Sequence, residues 1–132
     1  MKIIEVHSPV RETLIDITDA VKTAVAGSGV DSGLCQVYVP HTTAAVTINE
    51  NTDPAVAGDI LNALRHLVPD SLPFTHQEGN SSAHCKASLI GSSVLIPIAA
   101  GTPVLGTWQG IFFCEFDGPR KRKAAIQIIP AG

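Results

Sequence analysis

The segment from His76 to His84 holds the densest group of side chains that can do chemistry. Two imidazoles and the carboxylate of Glu78 fall within this polar stretch of nine residues. Imidazole nitrogen and carboxylate oxygen suit zinc or a similar divalent metal, and a catalytic metal site keeps one position open for water or substrate. The spacing matches no sharp metal signature, so surface histidines in a loop are the alternative interpretation.

His41 offers a third imidazole from a separate segment. It follows a proline that ends a predicted strand, and the hydroxyls of Thr42 and Thr43 stand beside it. Histidines from two loops could together complete a three-nitrogen metal site. His41, His76 and His84 are therefore the predicted metal ligands, and in the absence of a metal they are candidates for proton transfer.

Two other features could bind a phosphate. One is a run of small polar residues: Gly79, Asn80, Ser81 and Ser82. Such a run can present consecutive amides and hydroxyls to an oxyanion, although most such runs are only turns. The other is the basic cluster at residues 120–123, in which Arg120 and Arg122 each provide a two-pronged donor for phosphate. An edge strand that resists sheet-to-sheet association is the alternative for this cluster.

Carboxylates and amides also precede the second predicted helix. Asp53 is expected to cap that helix and Pro54 to occupy its first position, where a missing amide costs nothing. Glu50 is not needed for capping. It is therefore a candidate acid, base or hydrogen-bond partner of a histidine, as is Glu78.

The hydrophobic pattern predicts about eight strands and two main helices. The first helix follows Thr18, which is its predicted cap, and the second begins at Pro54. The predicted strands cover residues 3–6, 13–17, 33–39, 83–89, 94–98, 104–108, 110–116 and 123–129, and residues 45–48 continue in an extended conformation after residues 41–43. Most strands follow the second helix without interruption, which favours a single α+β domain over residues 1–132 with largely antiparallel pairing.

Size and composition limit the function further. The 132 residues suffice for one domain with one core. Only 16% of the residues are charged, so we expect apolar surface to be buried between subunits. A net charge of −3 gives no basic field for nucleic acid. The sequence has no Gly-x-Gly-x-x-Gly after a strand, no Walker lysine loop and no Gly-x-Ser-x-Gly elbow, which argues against nucleotide-binding and α/β-hydrolase folds.

Cysteine usage and hydropathy predict a location. Cys35, Cys85 and Cys114 lie in apolar runs without Cys-x-x-Cys spacing, which is typical of reduced, structural cysteines. The first residues lack the pattern of a secretory leader, and no segment approaches 18 consecutive apolar residues. We therefore expect a cytoplasmic protein without a membrane partner.

Several segments together resemble the YjbQ family, also called UPF0047. They lie in one register from about residue 5 to residue 129, at 41–45, 49–54, 76–79, 82–88, 91–92, 106–111 and 118–122. The family is known for small α+β proteins that form compact trimers, and members are named secondary thiamine-phosphate synthases. The resemblance implies coupling of hydroxymethylpyrimidine diphosphate to thiazole phosphate with release of pyrophosphate.

The resemblance also implies a site, position by position. It supports a histidine cluster with charged neighbours: His41, His76, His84, Glu50, Glu78 and Arg122. Relatives often carry acidic residues between Glu78 and His84, whereas this chain has the neutral Ser81 and Ser82. Fewer carboxylates disfavour a magnesium-type site, so coordination by imidazole is expected.

The leading hypothesis is a homotrimer with its site near the subunit boundaries. Histidines would hold a zinc-like divalent metal or transfer protons. Arg120, Arg122 and the amides of residues 79–82 would stabilise the charge of a leaving diphosphate. The alternative is a non-catalytic protein that binds a phosphorylated metabolite or a divalent metal.

Overall fold

The computed structural model describes all 132 residues and contains two antiparallel sheets and three helices. The elements are β1 (Lys2–Ser8), β2 (Thr13–Asp16), α1 (Thr18–Ser28), β3 (Gly33–Tyr38), β4 (Ala44–Glu50), α2 (Pro54–Leu67), α3 (Ser81–Ile90), β5 (Ser93–Ala99), β6 (Thr102–Pro103), β7 (Gln109–Glu115) and β8 (Arg120–Pro130). The five-stranded sheet has the order β1-β8-β3-β5-β6, and the three-stranded sheet has the order β2-β7-β4. The predicted α+β class with antiparallel pairing is confirmed.

The main core lies between the two sheets and α1. Alternate residues of β3, such as Cys35 and Val37, are fully buried there against Ile96 of β5 and Phe113 of β7. A smaller apolar cluster joins the opposite face of the three-stranded sheet to α2 and α3, through residues such as Phe116. Because both faces of this sheet are covered, β7 carries an almost uninterrupted run of buried residues instead of an alternating pattern.

The predicted strand at residues 83–89 is wrong, because this segment is helical in α3. Its buried side chains include Ala83, Lys86 and Ala87, which follow the spacing of one helical face. The alternating pattern of this segment predicts Lys86 on a polar face of the strand. Lys86 is buried because its Nζ donates a hydrogen bond of 2.8 Å to Glu12, a partner that local sequence does not reveal.

The basic cluster does not form an edge strand. It begins β8, which lies between β1 and β3 in the five-stranded sheet. Arg122 points inward and is only 4% exposed, because it pairs with the fully buried Glu115 of β7. The interpretation of the cluster as a solubilising edge is therefore wrong.

Of the other local predictions, one is confirmed and two are wrong. Asp53 caps α2 by accepting a hydrogen bond from the amide of Ala55, as predicted. Thr18 does not cap α1. It is the first helical residue, and its hydroxyl instead donates to Asp16 and accepts from the amide of Ile111. The predicted strand at 104–108 is also wrong, since only Thr102–Pro103 pairs there.

All three cysteines are free thiols, but only two have the predicted environment. Cys35 and Cys114 are buried, whereas Cys85 is exposed on α3. Burial raises the pKa of the Cys114 thiol to about 12. None of the three helices combines the length and the apolar character needed to span a lipid bilayer.

Replacing Glu115 with glutamine should destabilise the fold. The variant leaves the Arg122 guanidinium buried without a counterion, which costs about 3 kcal/mol of unfolding free energy. Urea unfolding at pH 7 measures this loss. The ionised Glu115 carboxylate stabilises the native protein at pH values above 4.5, its ordinary pKa. The difference in unfolding free energy between wild type and variant should therefore disappear as the pH falls through the lowered pKa of the native state.

Glu50→Gln is the matched control. Glu50 makes no ion pair at its place on β4, so this change should alter stability by less than about 0.5 kcal/mol. Equal urea midpoints for the Glu115→Gln and Glu50→Gln variants would contradict a stabilising role for the buried pair.

Candidate functional site

The structure brings the three imidazoles to one polar cleft. His41, His76 and His84 line a cavity of about 650 Å³ at one end of the two sheets. Here β3 has just ended at Tyr38 and β8 begins at Arg120. A strand end, a long loop and a helix start therefore meet at the same place, although they are distant in sequence.

His76 and His84 form a close pair. His84 lies near the start of α3, and His76 lies in the loop that precedes this helix. Their ring centroids are 5.4 Å apart and the rings are almost perpendicular. The Nε2 atom of His76 is 3.9 Å from a carboxylate oxygen of Glu78, and both side chains are largely exposed. The contact between His76 and Glu78 is a weak surface contact. It therefore does not prevent His76 and His84 from binding a ligand.

His41 is held more firmly. Its Nε2 accepts a hydrogen bond of 2.9 Å from the backbone amide of Lys123, and its ring packs edge-on against Phe113. Burial lowers the pKa of His41, the positive charge of Arg122 lowers it further, and Glu115 partly opposes this. Because Nε2 accepts a hydrogen bond from the Lys123 amide, it carries no proton itself, and the proton of the neutral ring lies on Nδ1. His41 therefore acts as a hydrogen-bond donor.

The histidines do not form a three-ligand metal site in this arrangement. No group of three His, Cys, Asp or Glu side chains is placed so that it could hold a metal ion. At His41, moreover, the Nε2 lone pair is occupied by the Lys123 amide. Any metal ligation would therefore rest on His76 and His84, together with ligand or solvent atoms.

A buried network supports the floor of the cleft. Arg122 donates from Nε and Nη2 to the two carboxylate oxygens of Glu115, and Nη2 also donates to the hydroxyl of Thr43. Glu115 accepts further hydrogen bonds from Ser8 and from the amide of Asp117. Burial raises the pKa of Glu115, but these hydrogen bonds outweigh it and hold the pKa below its ordinary value.

The arginines are placed differently in the cleft. In Arg122, Nη1 makes no hydrogen bond within the protein, and the residue lines the cavity. Arg120 is exposed, and it binds both the carboxylate and the backbone carbonyl of Asp117. Asp117 also accepts a 2.9 Å hydrogen bond from Asn80, the residue before α3. One carboxylate thus connects the start of β8 to the start of the helix that carries His84.

Several sequence candidates lie elsewhere. Glu50 ends β4, and a strand of seven residues puts its two ends about 20 Å apart, so Glu50 is remote from the cleft. In the run 79–82, only Asn80 lines the cleft. Ser82 is buried and donates to Asp70, and Ser81 faces a different cavity beside Phe74. Glu78 does line the cleft.

Sequence reasoning missed some cleft residues. They are Tyr38, Ser92 and Asp117. Asp117 stands in the turn directly before the basic cluster, so an acidic residue next to an arginine was a usable signal. Ser92 lies in the segment 91–92 of the family resemblance but was given no role there. Tyr38 carried no signal, because only the pairing of β3 with β5 brings the two segments together.

Comparison with known proteins places these features in a family. The family model described as "UPF0047 protein YjbQ-like" matches residues 2–131. The chain belongs to the YjbQ/UPF0047 family. A UPF0047 protein of Methanocaldococcus jannaschii is 57% identical over 119 residues, which is 90% of this chain and 86% of the relative. The UPF0047 protein YugU of Bacillus subtilis is 42% identical, with 98% of each chain covered.

Solved structures agree with the fold. An uncharacterised YjbQ/UPF0047 protein of Clostridium acetobutylicum superimposes with a TM-score of 0.96 at 51% identity, covering 98% of this chain and 100% of that one. A protein of unknown function from Sulfolobus solfataricus superimposes with a TM-score of 0.95 at 34% identity, covering 98% and 96%. These similarities establish the architecture, and the names carry no activity.

The tautomer of His41 can be measured. Long-range ¹H–¹⁵N NMR spectra at neutral pH should show the proton on Nδ1, because the Lys123 amide occupies Nε2. On titration the midpoint of His41 should fall below 6.5, since burial and Arg122 disfavour the charged ring. Loss of the signals in His41→Gln assigns them. A proton on Nε2, or a midpoint above 6.5, would contradict this description.

Proposed function

We propose that this chain is an enzyme of the secondary thiamine-phosphate synthase type. It would join hydroxymethylpyrimidine diphosphate to thiazole phosphate and release pyrophosphate. The observation that carries the proposal is the meeting of His41, His76 and His84 in one polar cleft with Arg120 and Arg122. The reaction itself comes from the family resemblance.

The cleft suits a group that gains negative charge. In the coupling, the C–O bond to the diphosphate breaks and its electron pair leaves with the diphosphate oxygen. The thiazole nitrogen supplies the pair for the new C–N bond. Donors fixed before the reaction stabilise such a leaving group without having to reorganise. Arg122, whose Nη1 has no partner within the protein, and His41, whose Nδ1 carries the ring proton, both line the cleft and would supply donors of this kind.

A binding protein for a phosphorylated metabolite is the second candidate. It is favoured by the fixed orientation of the two guanidinium groups, because Arg120 pairs with Asp117 and Arg122 with Glu115. These pairs reduce the positive charge that a strong anion site would have, but they also hold the guanidinium groups rigidly. Binding without turnover of hydroxymethylpyrimidine diphosphate would favour this candidate.

A zinc-like metal is retained only for the His76–His84 pair, and no step of the proposal depends on it. The two rings are close, but a third protein ligand is not in place. Elemental analysis of the purified protein tests for the metal. A cytoplasmic location likewise stays a prediction.

The histidine hypothesis is tested by His84→Gln. Glutamine keeps a polar group of similar reach but cannot exchange a proton near neutral pH, so kcat for thiamine phosphate formation should fall by about 100-fold or more. His66→Gln is the control, because His66 is exposed on α2 and contacts only the carbonyl of Asn62. A full rate in both His84→Gln and His41→Gln would rule out the catalytic role of these residues.

A trimer is the assembly that we propose, following the family resemblance. One face of the five-stranded sheet is covered by no helix, and its large side chains are partly exposed: Ile3, Leu34, Tyr38, Leu95 and Ile129. Gln36 and Gln127 lie on the same face, opposite each other, and exposed apolar side chains grouped in this way are typical of a subunit interface. It begins beside the cleft, because Tyr38 lines both.

Sedimentation velocity at micromolar concentration tests the assembly. The wild type should sediment with three times the chain mass of 13.8 kDa. Leu95→Glu should dissociate it, because Leu95 is 58% exposed on the bare sheet face and would bring a charge into the interface. Leu67→Glu, at an exposed position of α2, should leave it intact. A monomeric wild type would overturn the proposal.

A further inference from the structure

A second cavity adjoins the cleft. It measures about 500 Å³ and shares His41, Thr42, His84 and Ser92 with the cleft. Its remaining lining consists only of small residues: Ala44, Ala87, Ser88 and Gly91. We call this cavity the side chamber. The two spaces therefore meet along the histidines.

The two spaces differ in charge. The cleft is lined by carboxylates and guanidinium groups, among them Asp117, Arg120 and Arg122. The side chamber has no carboxylate, ammonium or guanidinium group in its lining, and the hydroxyls of Thr42 and Ser88 are among its few polar groups. A phosphate in the side chamber would lose its hydration without gaining a cationic partner. An uncharged group would not incur this cost.

Helix α3 builds one wall of the side chamber. His84, Ala87, Ser88 and Gly91 follow one helical face and continue past the helix end. Ser88 donates a 2.9 Å hydrogen bond to the carbonyl of His84, which turns its hydroxyl back to the helix and keeps the space open.

The end of that wall is fixed by backbone contacts. The carbonyl of Gly91 accepts from the amide of Val46, and the carbonyl of Ser92 accepts from the amide of Val39. Gly91 has a φ of 102°, which a larger residue would adopt only with strain. This end of the wall is therefore held in place by the backbone.

We propose that the side chamber binds the uncharged ring of the same ligand whose phosphates occupy the cleft. This inference rests on the proposed function and adds the division of the site. Its volume lies in the range of small-molecule pockets. With the ligand placed across both spaces, the bond between ring-bearing carbon and phosphate oxygen lies beside His41 and His84. The preferred substrates are therefore phosphate esters of a neutral ring, rather than inorganic pyrophosphate alone.

Ser88→Leu tests the side chamber directly. Leucine at this exposed helical position fills the space without disturbing the core, and Ala63→Leu on the exposed face of α2 is the matched control. Isothermal titration calorimetry with hydroxymethylpyrimidine phosphate should show about 10-fold or more weaker binding to Ser88→Leu. Binding of inorganic pyrophosphate should be unchanged in Ser88→Leu, and the control should bind both probes like wild type.

The outcomes separate the two proposals. If Ser88→Leu binds hydroxymethylpyrimidine phosphate as tightly as wild type, the side chamber is wrong while the proposed function stands. If wild type binds neither phosphate probe, the proposed function fails, and uncharged hydroxymethylpyrimidine then decides the chamber. The side chamber would be supported if this probe shifts the NMR signals of the Ala87, Ser88 and Gly91 amides in wild type but not in Ser88→Leu. If wild type shows no such shifts, the side-chamber proposal is overturned.

Discussion

The cleft depends on the buried ion pair between Arg122 and Glu115. Arg122 belongs to the five-stranded sheet and Glu115 to the three-stranded sheet, so this contact joins the two sheets at the end where the histidines meet. Thr43 and Ser8 complete the network and connect it to the His41 segment and to β1. Removing two charges from water is costly, and an apolar pair of similar volume is often at least as stable. We therefore attribute the pair to positioning.

The same pair determines the electrostatics of the cleft. Glu115 neutralises Arg122, as Asp117 does Arg120, and the cleft is consequently polar without being strongly positive. Anion binding must then come from individual donors in fixed orientations. Such donors recognise shape as well as charge. The proposed phosphate-ester ligand would be recognised in this way.

The three histidines have the same side chain, but the fold gives them different contacts. A backbone amide fixes the tautomer of His41, whereas His76 and His84 face each other on a helix start and a loop. His84 lines both the cleft and the side chamber, as does His41. These two histidines therefore lie at the boundary between the cleft and the side chamber, where the proposed ligand would cross from one space to the other.

The sequence alone determined the α+β class, the capping of α2 by Asp53, the family and the candidate histidines, because these depend on local patterns or on motifs. It did not determine α3, since Ser, Ala and His alternate in a way that also suits a strand, and the decisive contact of Lys86 with Glu12 is 74 residues away in the chain. Only the tertiary structure placed Glu50 away from the cleft, because it lies at the far end of β4 although it is only nine residues from His41 in the chain. It also decided that Arg122 is buried and that the proton of the neutral His41 ring lies on Nδ1, because both depend on partners from other strands.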